Sequence, residues 1–298
     1  MSESERPKAA QTKAERREEA RLKALQLREE TKRREKRNRV VAISVLIAAV
    51  VVLVGVVAFI LSQQEKPTGN VAYQGETKPT LADSPAPSTA REDGAITVGP
   101  GGVAGTEATA AGAVEVTVVY DYECVWCGRF ENTNGPVLKS LTDTGSVTVA
   151  YRPISMMNQR AQFSTRAGNA AAIVADAAPD KFVAFNEALF AVQEGETFAS
   201  PSGLKDERIA EIAASVGVPA DVTARFTDPV AEGTTERTFS KWLAANYFAA
   251  EAMASEKGKE QFGTPYILID GVEFAGNFQE PGAFESAVLS AVAAKAAG

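Results

Sequence analysis

The sequence predicts an α/β domain of βαβ–helical insertion–ββα order, carried behind one N-terminal transmembrane helix. Three observations lead there. Residues 40–61 form an apolar run without a single charge. An apolar stretch, Val114 to Tyr120, runs through Asp121-Tyr122-Glu123 into Cys124-Val125-Trp126-Cys127, with Phe130 following at helical spacing. Near the C-terminus, Pro265 to Ala275 reads as a hairpin with an Asp270-Gly271 turn and precedes a last amphipathic segment.

The N-terminal elements come first. The net charge of −7 hides a split, because residues 1–39 hold 14 Lys/Arg against 8 Asp/Glu, a net of +6, and the rest carries −13. This basic tail is either a solvated helix laced with Glu/Arg pairs or disorder, and topology alone accounts for its charge. The alternative is contact with anionic lipid headgroups. Residues 40–61 are long enough to cross a bilayer as a helix. The flank Lys32-Arg33-Arg34-Glu35-Lys36-Arg37 places the tail in the cytoplasm and everything after residue 61 outside. A cleaved signal peptide competes with the anchor, but its apolar core is shorter and ends in a small-x-small site, which Ala58-Phe59-Ile60-Leu61 does not offer. The acidic exported part argues against nucleic acid as a partner.

Residues 62–94 contain Pro67, Pro79, Pro85 and Pro87 among polar residues and read as a flexible extracytoplasmic tether. The folded domain is expected over 95–298, a length suited to one core. Ala95 to Val98 is a short edge strand, and 99–112 is glycine-rich. Val114–Tyr120 is a strand buried on both faces. A helix runs from Cys124 to about Thr133 and is interrupted at Gly135-Pro136 before Val137, Leu138 and Leu141 resume its apolar face. Ser146 to Tyr151 is the second strand, ended by Arg152-Pro153, which completes a right-handed βαβ unit. A helical insertion follows over about 158–260, with segments at Arg166–Ala177, Lys181–Gln193, Arg208–Val216 and Thr238–Lys259. The final helix starts near Pro281 and turns Phe284, Val288, Leu289 and Val292 to the core.

Cys124 and Cys127 are the only cysteines, and there is no histidine. Spacing i, i+3 permits a strained, reducible disulfide. Tetrahedral zinc needs two further ligands, and neither Cys nor His remains to supply them. Copper wants soft neighbours, and no methionine adjoins the pair. A purely structural bridge usually closes a longer loop. Strand, Cys-x-x-Cys, helix is a redox-site layout.

Asp121-Tyr122-Glu123-Cys124-Val125-Trp126-Cys127, with Gly263-Thr264-Pro265 ahead of a strand, resembles the DsbA-like thioredoxin-fold oxidoreductases, and most of all their membrane-anchored bacterial members. Tyr151-Arg152-Pro153 and Phe185 to Gln193 look like weaker family features. The resemblance covers residues 95 to 298. It implies that Cys124 is the exposed nucleophile at a helix N-terminus, where the dipole and free N–H groups favour a thiolate, and that Cys127 is the buried resolving thiol. It implies further that Pro265 is a cis-proline facing the disulfide and that Thr264 hydrogen-bonds an extended peptide. Trp126 is read either as a cap on the core or as a substrate contact. Without the resemblance, Thr264-Pro265 would be an ordinary strand start.

The sequence departs from the family pattern in three places. Val125 stands where proline is common, Trp126 leaves no imidazole between the cysteines, and Val118 occupies the position of a buried acid six residues before the first cysteine. Asp121 and Glu123 work against the thiolate if ionised nearby, or relay protons.

The function expected is that of a membrane-tethered thiol–disulfide oxidoreductase, located in the cell membrane with its catalytic domain outside. It acts on exported cysteine-containing proteins, needs no bound cofactor or metal, and by family is reoxidised by a quinone-linked membrane partner. The rival readings are an extracytoplasmic reductase or isomerase, and a non-catalytic peptide-binding module.

Overall fold

A computed structural model describes residues 69–297 and, before them, Arg21, Arg28, Glu29, 31–36, Asn38, Arg39, Ile43, Ser44 and Val52. The chain divides into two units, Met1–Gln64 and Glu65–Gly298. In the first unit every described residue is helical and exposed. Among the described residues no helix is long and apolar enough to cross a membrane. The span expected over 40–61 lies outside them, apart from Ile43, Ser44 and Val52.

The second unit is built on a five-stranded sheet of order β1-β3-β2-β4-β5. The central strand β2, Val114–Tyr120, is rich in valine, and six of its seven residues are buried. It pairs in parallel with β3, Val147–Pro153, in a register running from Val114 opposite Val147 to Tyr120 opposite Pro153. Their connection is helix α1, Val125–Asp143. The short β1, Ile96–Val98, adds antiparallel to the outer edge of β3. On the other side β4, Tyr266–Ile269, runs antiparallel to β2, and β5, Val272–Glu273, closes a hairpin onto it. Asp270 and Gly271 both have positive φ, 49° and 79°, as a two-residue hairpin of matching twist requires.

The helical insertion lies between β3 and β4. It contains α2, Phe163–Ala177, α3, Phe182–Ala191, α4, Asp206–Ser215, α5, Ala220–Ala224, and α6, Ser240–Glu256. A π-helical turn, Gln193–Thr197, follows α3. Helix α7, Ala283–Ala297, ends the described chain and buries Phe284 and Val288. The order is therefore βαβ, helical insertion, ββα, preceded by one edge strand.

Three sequence expectations need correction. Helix α1 is continuous through Gly135-Pro136. Proline removes one hydrogen bond at a cost of about 3 kcal/mol. Its apolar face continues on both sides, with Phe130 before and Leu138 and Leu141 after all buried, and each such side chain returns about 1.5–3 kcal/mol. Strand β3 ends at Pro153, where the sequence places its end. Ile154, just beyond the proline, donates its N–H to the Tyr120 carbonyl at 2.9 Å. Leu289 does not face the core and is 48% exposed.

The largest correction concerns the tether. From residue 69 to 94 the chain lies on the folded unit. Val71 is buried, its N–H donates to the Gln162 side-chain oxygen at 2.6 Å, and its carbonyl accepts from the Ser240 hydroxyl at 2.6 Å. Further along, the Ser88 N–H donates to Asp176 at 2.9 Å, and the Asn246 amide to the Gly94 carbonyl at 3.0 Å. Polar side chains of the insertion thus satisfy the backbone of a segment that has few apolar groups of its own.

Candidate active site

Strand β2 delivers the chain to the cysteine pair. After Tyr120 the backbone turns through Asp121-Tyr122-Glu123, closed by the Cys124 N–H on the Asp121 carbonyl at 3.0 Å. Cys124 is the N-cap of α1, in extended conformation (φ −83°, ψ 116°), and no side chain caps this helix end. The first free N–H groups of α1 therefore face the Cys124 sulfur, with the positive end of the helix dipole behind them. One turn on, Cys127 is buried beneath, and the cysteines are unbridged.

Opposite the pair, Thr264-Pro265 is a cis peptide bond. The Cys124 thiol donates to the Thr264 carbonyl at 3.3 Å. The Thr264 hydroxyl is buried. The pair and the loop expected to face it are thus brought together. The exposure expected of Cys124 is not found, since it is only 6% exposed. The reason is the Thr264 loop, which lies against its sulfur. Trp126 is the exposed member of the motif, at 46%, with the Arg129 guanidinium 4.7 Å from its ring centre. It does not cap the core.

The two thiols are driven apart in acidity. Cys124 is lowered to about 6, chiefly by a hydrogen bond from the Cys127 thiol, then by the Thr264 hydroxyl and the N–H groups of Cys127 and Trp126, all acting against burial. Cys127 is held well above the usual thiol range, mainly by burial and then by its bond to Cys124. Such a split assigns attacking or leaving sulfur to one cysteine and a protonated reserve to the other.

Asp121 and Glu123 are both buried. Asp121 accepts the N–H groups of Glu123 at 2.7 Å, Met156 at 2.7 Å and Met157 at 3.0 Å, and the Ser164 hydroxyl at 2.5 Å. Glu123 accepts the Gln159 N–H at 3.0 Å and the Arg160 guanidinium at 3.2 Å. Burial raises both carboxyls. Their saturated oxygens tie the turn before Cys124 to the segment after β3, which suits a brace rather than a proton shuttle.

Two buried polar residues escaped the sequence reading. Val118 is buried in the sheet, so no acid lies there. A buried acid stands instead on α1, one turn past Cys127: Glu131, pushed up to about 8 by burial first and then by Glu187. It accepts the Asn186 amide at 2.9 Å, and the Tyr122 hydroxyl donates to the Asn186 carbonyl oxygen at 2.7 Å. The available signal was its place four residues after Cys127, on the buried face of α1. The other is Gln193, whose amide donates to the carbonyls of Tyr122 at 2.8 Å and Cys124 at 3.0 Å.

A strand–turn–helix cysteine pair facing a cis-proline, on a sheet of this order, defines a protein of the thioredoxin-like class. The chain belongs to the thioredoxin family, whose sequence model matches residues 103–288. No curated protein sequence matches it. Among solved structures it is similar to MdbA of Actinomyces oris, described as a thiol-disulfide oxidoreductase (22% identity, TM-score 0.56, covering 77% of this chain and 97% of that one). It is also similar to MdbA of Corynebacterium diphtheriae (20%, TM-score 0.51, 76% and 99%) and to oxidised BdbD of Bacillus subtilis (18%, TM-score 0.51, 73% and 100%). At these identities what is shared is the fold.

Proposed function

We propose that this protein is a membrane-tethered thiol–disulfide oxidoreductase that introduces disulfides into exported proteins through Cys124 and Cys127. One observation carries the reading: the Cys124 sulfur lies 3.3 Å from the Thr264 carbonyl, beside cis Pro265, with Cys127 buried beneath it. The resemblance to oxidoreductases of this fold supports it.

In the oxidised protein, a substrate thiolate attacks the Cys124 sulfur. The Cys124–Cys127 bond breaks, a mixed disulfide forms at Cys124, and the Cys127 sulfur takes the electron pair and a proton. A second substrate thiolate then attacks its own sulfur in the mixed disulfide and expels the Cys124 thiolate. The substrate has lost two electrons and the pair has become a dithiol. A low Cys124 pKa makes it a good leaving group and stabilises the reduced pair, which favours oxidation of the substrate. Thr264 offers backbone groups to an extended peptide beside Pro265, and Trp126 supplies an exposed aromatic contact.

The charge-free run at 40–61 and its basic flank support a single-pass anchor in the lipid bilayer, with the tail cytoplasmic and the redox domain outside. The partners in this reading are exported cysteine-containing proteins and a quinone-linked membrane reoxidase, with no nucleic acid involved. The test is a Cys127→Ser variant in cells. It should accumulate mixed disulfides between Cys124 and exported proteins, and Cys124→Ser should abolish them. A folded Cys127→Ser protein without adducts would refute the reading.

A further inference from the structure

The π-helical turn Gln193–Thr197 brings the helical insertion to the redox turn, and its first residue makes the contact. Gln193 is 1% exposed. Its amide nitrogen bridges the Tyr122 carbonyl at 2.8 Å and the Cys124 carbonyl at 3.0 Å, the peptide groups before Glu123 and after Cys124. The Cys124 carbonyl also accepts the N–H groups of Cys127 at 3.1 Å and Gly128 at 3.3 Å. Three donors on one oxygen fix the orientation of that peptide plane, and with it the direction in which the Cys124 side chain leaves the backbone.

The other end of the amide is as informative. The Gln193 oxygen is buried without any hydrogen-bond partner. Two carbonyls dictate that the nitrogen points toward them, so the oxygen is left facing Gly128. It packs so close that a Cβ on Gly128 would lie 2.0 Å from it. Burying an unpaired amide oxygen costs about 1–3 kcal/mol. A group kept in place against that cost, in a rare helix type, beside the reacting sulfur, is expected to serve the site. The next residue, Glu194, pairs with Arg129 of α1 at 3.0 Å, but both are exposed and that link is weak.

We propose that Gln193 is a positioning residue: it holds the Cys124 carbonyl so that the sulfur faces the first N–H groups of α1 and the Cys127 thiol, and Gly128 is the space it requires. This rests on Cys124 being the reacting sulfur, as proposed above. Gln193 touches neither substrate nor the reacting atoms.

The test uses the full-length reduced chain in detergent micelles. Gln193→Met keeps the buried volume and removes both donated bonds. Its alkylation rate by iodoacetamide against pH should show a Cys124 midpoint higher by about one unit, a tenfold change in thiolate equilibrium. Equilibration with glutathione at pH 8 should shift toward the disulfide in the same sense. Gly128→Ala, which displaces the amide without deleting it, should reproduce both shifts. In a Gln193→Ala background, Gly128→Ala should add no further shift, because nothing remains for its Cβ to strike. A folded Gln193→Met protein with unchanged midpoint and equilibrium overturns the proposal. So does a Gly128→Ala effect of equal size in both backgrounds. If these shifts occur while Cys127→Ser traps no exported protein, positioning stands and the oxidoreductase reading falls.

Discussion

The Cys124 sulfur and the Thr264 carbonyl oxygen lie 3.3 Å apart although 140 residues separate them in the chain. Strand β2 ends at Tyr120, one turn before Cys124, and β4 begins at Tyr266, just after Thr264 and Pro265, and the antiparallel pairing of Val119 with Tyr266 holds the two strand ends level. The geometry of the site is therefore a consequence of sheet register, and it makes the following outcomes measurable.

The acidity of Cys124 should appear in stability as well as reactivity. Its folded value is depressed to about 6, against about 8.5 for a free thiol. A depressed pKa contributes stability that is fully present above the unfolded value and lost as pH falls through the folded one. The urea midpoint of the reduced protein, minus that of Cys124→Ser, should rise between about pH 6 and 8.5 and be flat on either side.

Glu131 should act with the opposite sign. Its carboxyl is raised to about 8 by burial, so its contribution is present below the unfolded value of about 4.3 and is lost as pH rises toward 8. Glu131→Gln keeps an oxygen for the Asn186 amide and removes the ionisation. Its urea midpoint should match the wild type at pH 4 and exceed it increasingly up to pH 8. A constant difference across that range would rule out the buried acid as the cause.

Asp121→Ala leaves the N–H groups of Glu123, Met156 and Met157 without their carboxylate acceptor. At about 1–3 kcal/mol for each buried group left unpaired, denaturant unfolding should show a loss of at least 3 kcal/mol. Asp121→Asn retains one acceptor oxygen and should lose less.

Trp126→Ala removes an exposed side chain and should change stability by no more than about 0.5 kcal/mol. If Trp126 contacts substrate, KM for a dithiol peptide should rise several-fold with the reaction of a small thiol unchanged. Equal effects on both would exclude the contact.

Segment 69–94 supplies a proteolysis test. Packed as it is, the stretch should resist cleavage in the native protein. Val71→Asp puts an unpaired charge where Val71 is buried, and cleavage within 69–94 should then appear before any in the helices.

Local chemistry made part of this legible. The apolar run Val114–Tyr120 gave β2, the stretch Ser146–Tyr151 gave β3, the Asp270-Gly271 dipeptide gave the hairpin, and the position of Cys124 ahead of a helical pattern gave its place at a helix end. None of these depends on distant partners. Pro136 misled because a single missing hydrogen bond is a local penalty, and the burial on either side that outweighs it is not local. The polar segment 69–94 misled in the converse way, since the groups that hold Val71, namely Gln162 and Ser240, come from the insertion.

The sequence by itself determined the cysteine pair and the strand that presents it, while the proline loop expected to meet it was implied by the family resemblance. Only the tertiary structure decided the environment of the sulfurs. Cys124 is covered by Thr264, Asp121 and Glu123 are braces on the segment after β3, the buried acid lies at Glu131, and Gln193 reaches the turn from the insertion. The physical reason is range. Backbone propensity and spacing act over a few residues, whereas burial and the partners Thr264, Ser164, Asn186 and Gln193 come from groups tens to more than a hundred positions away.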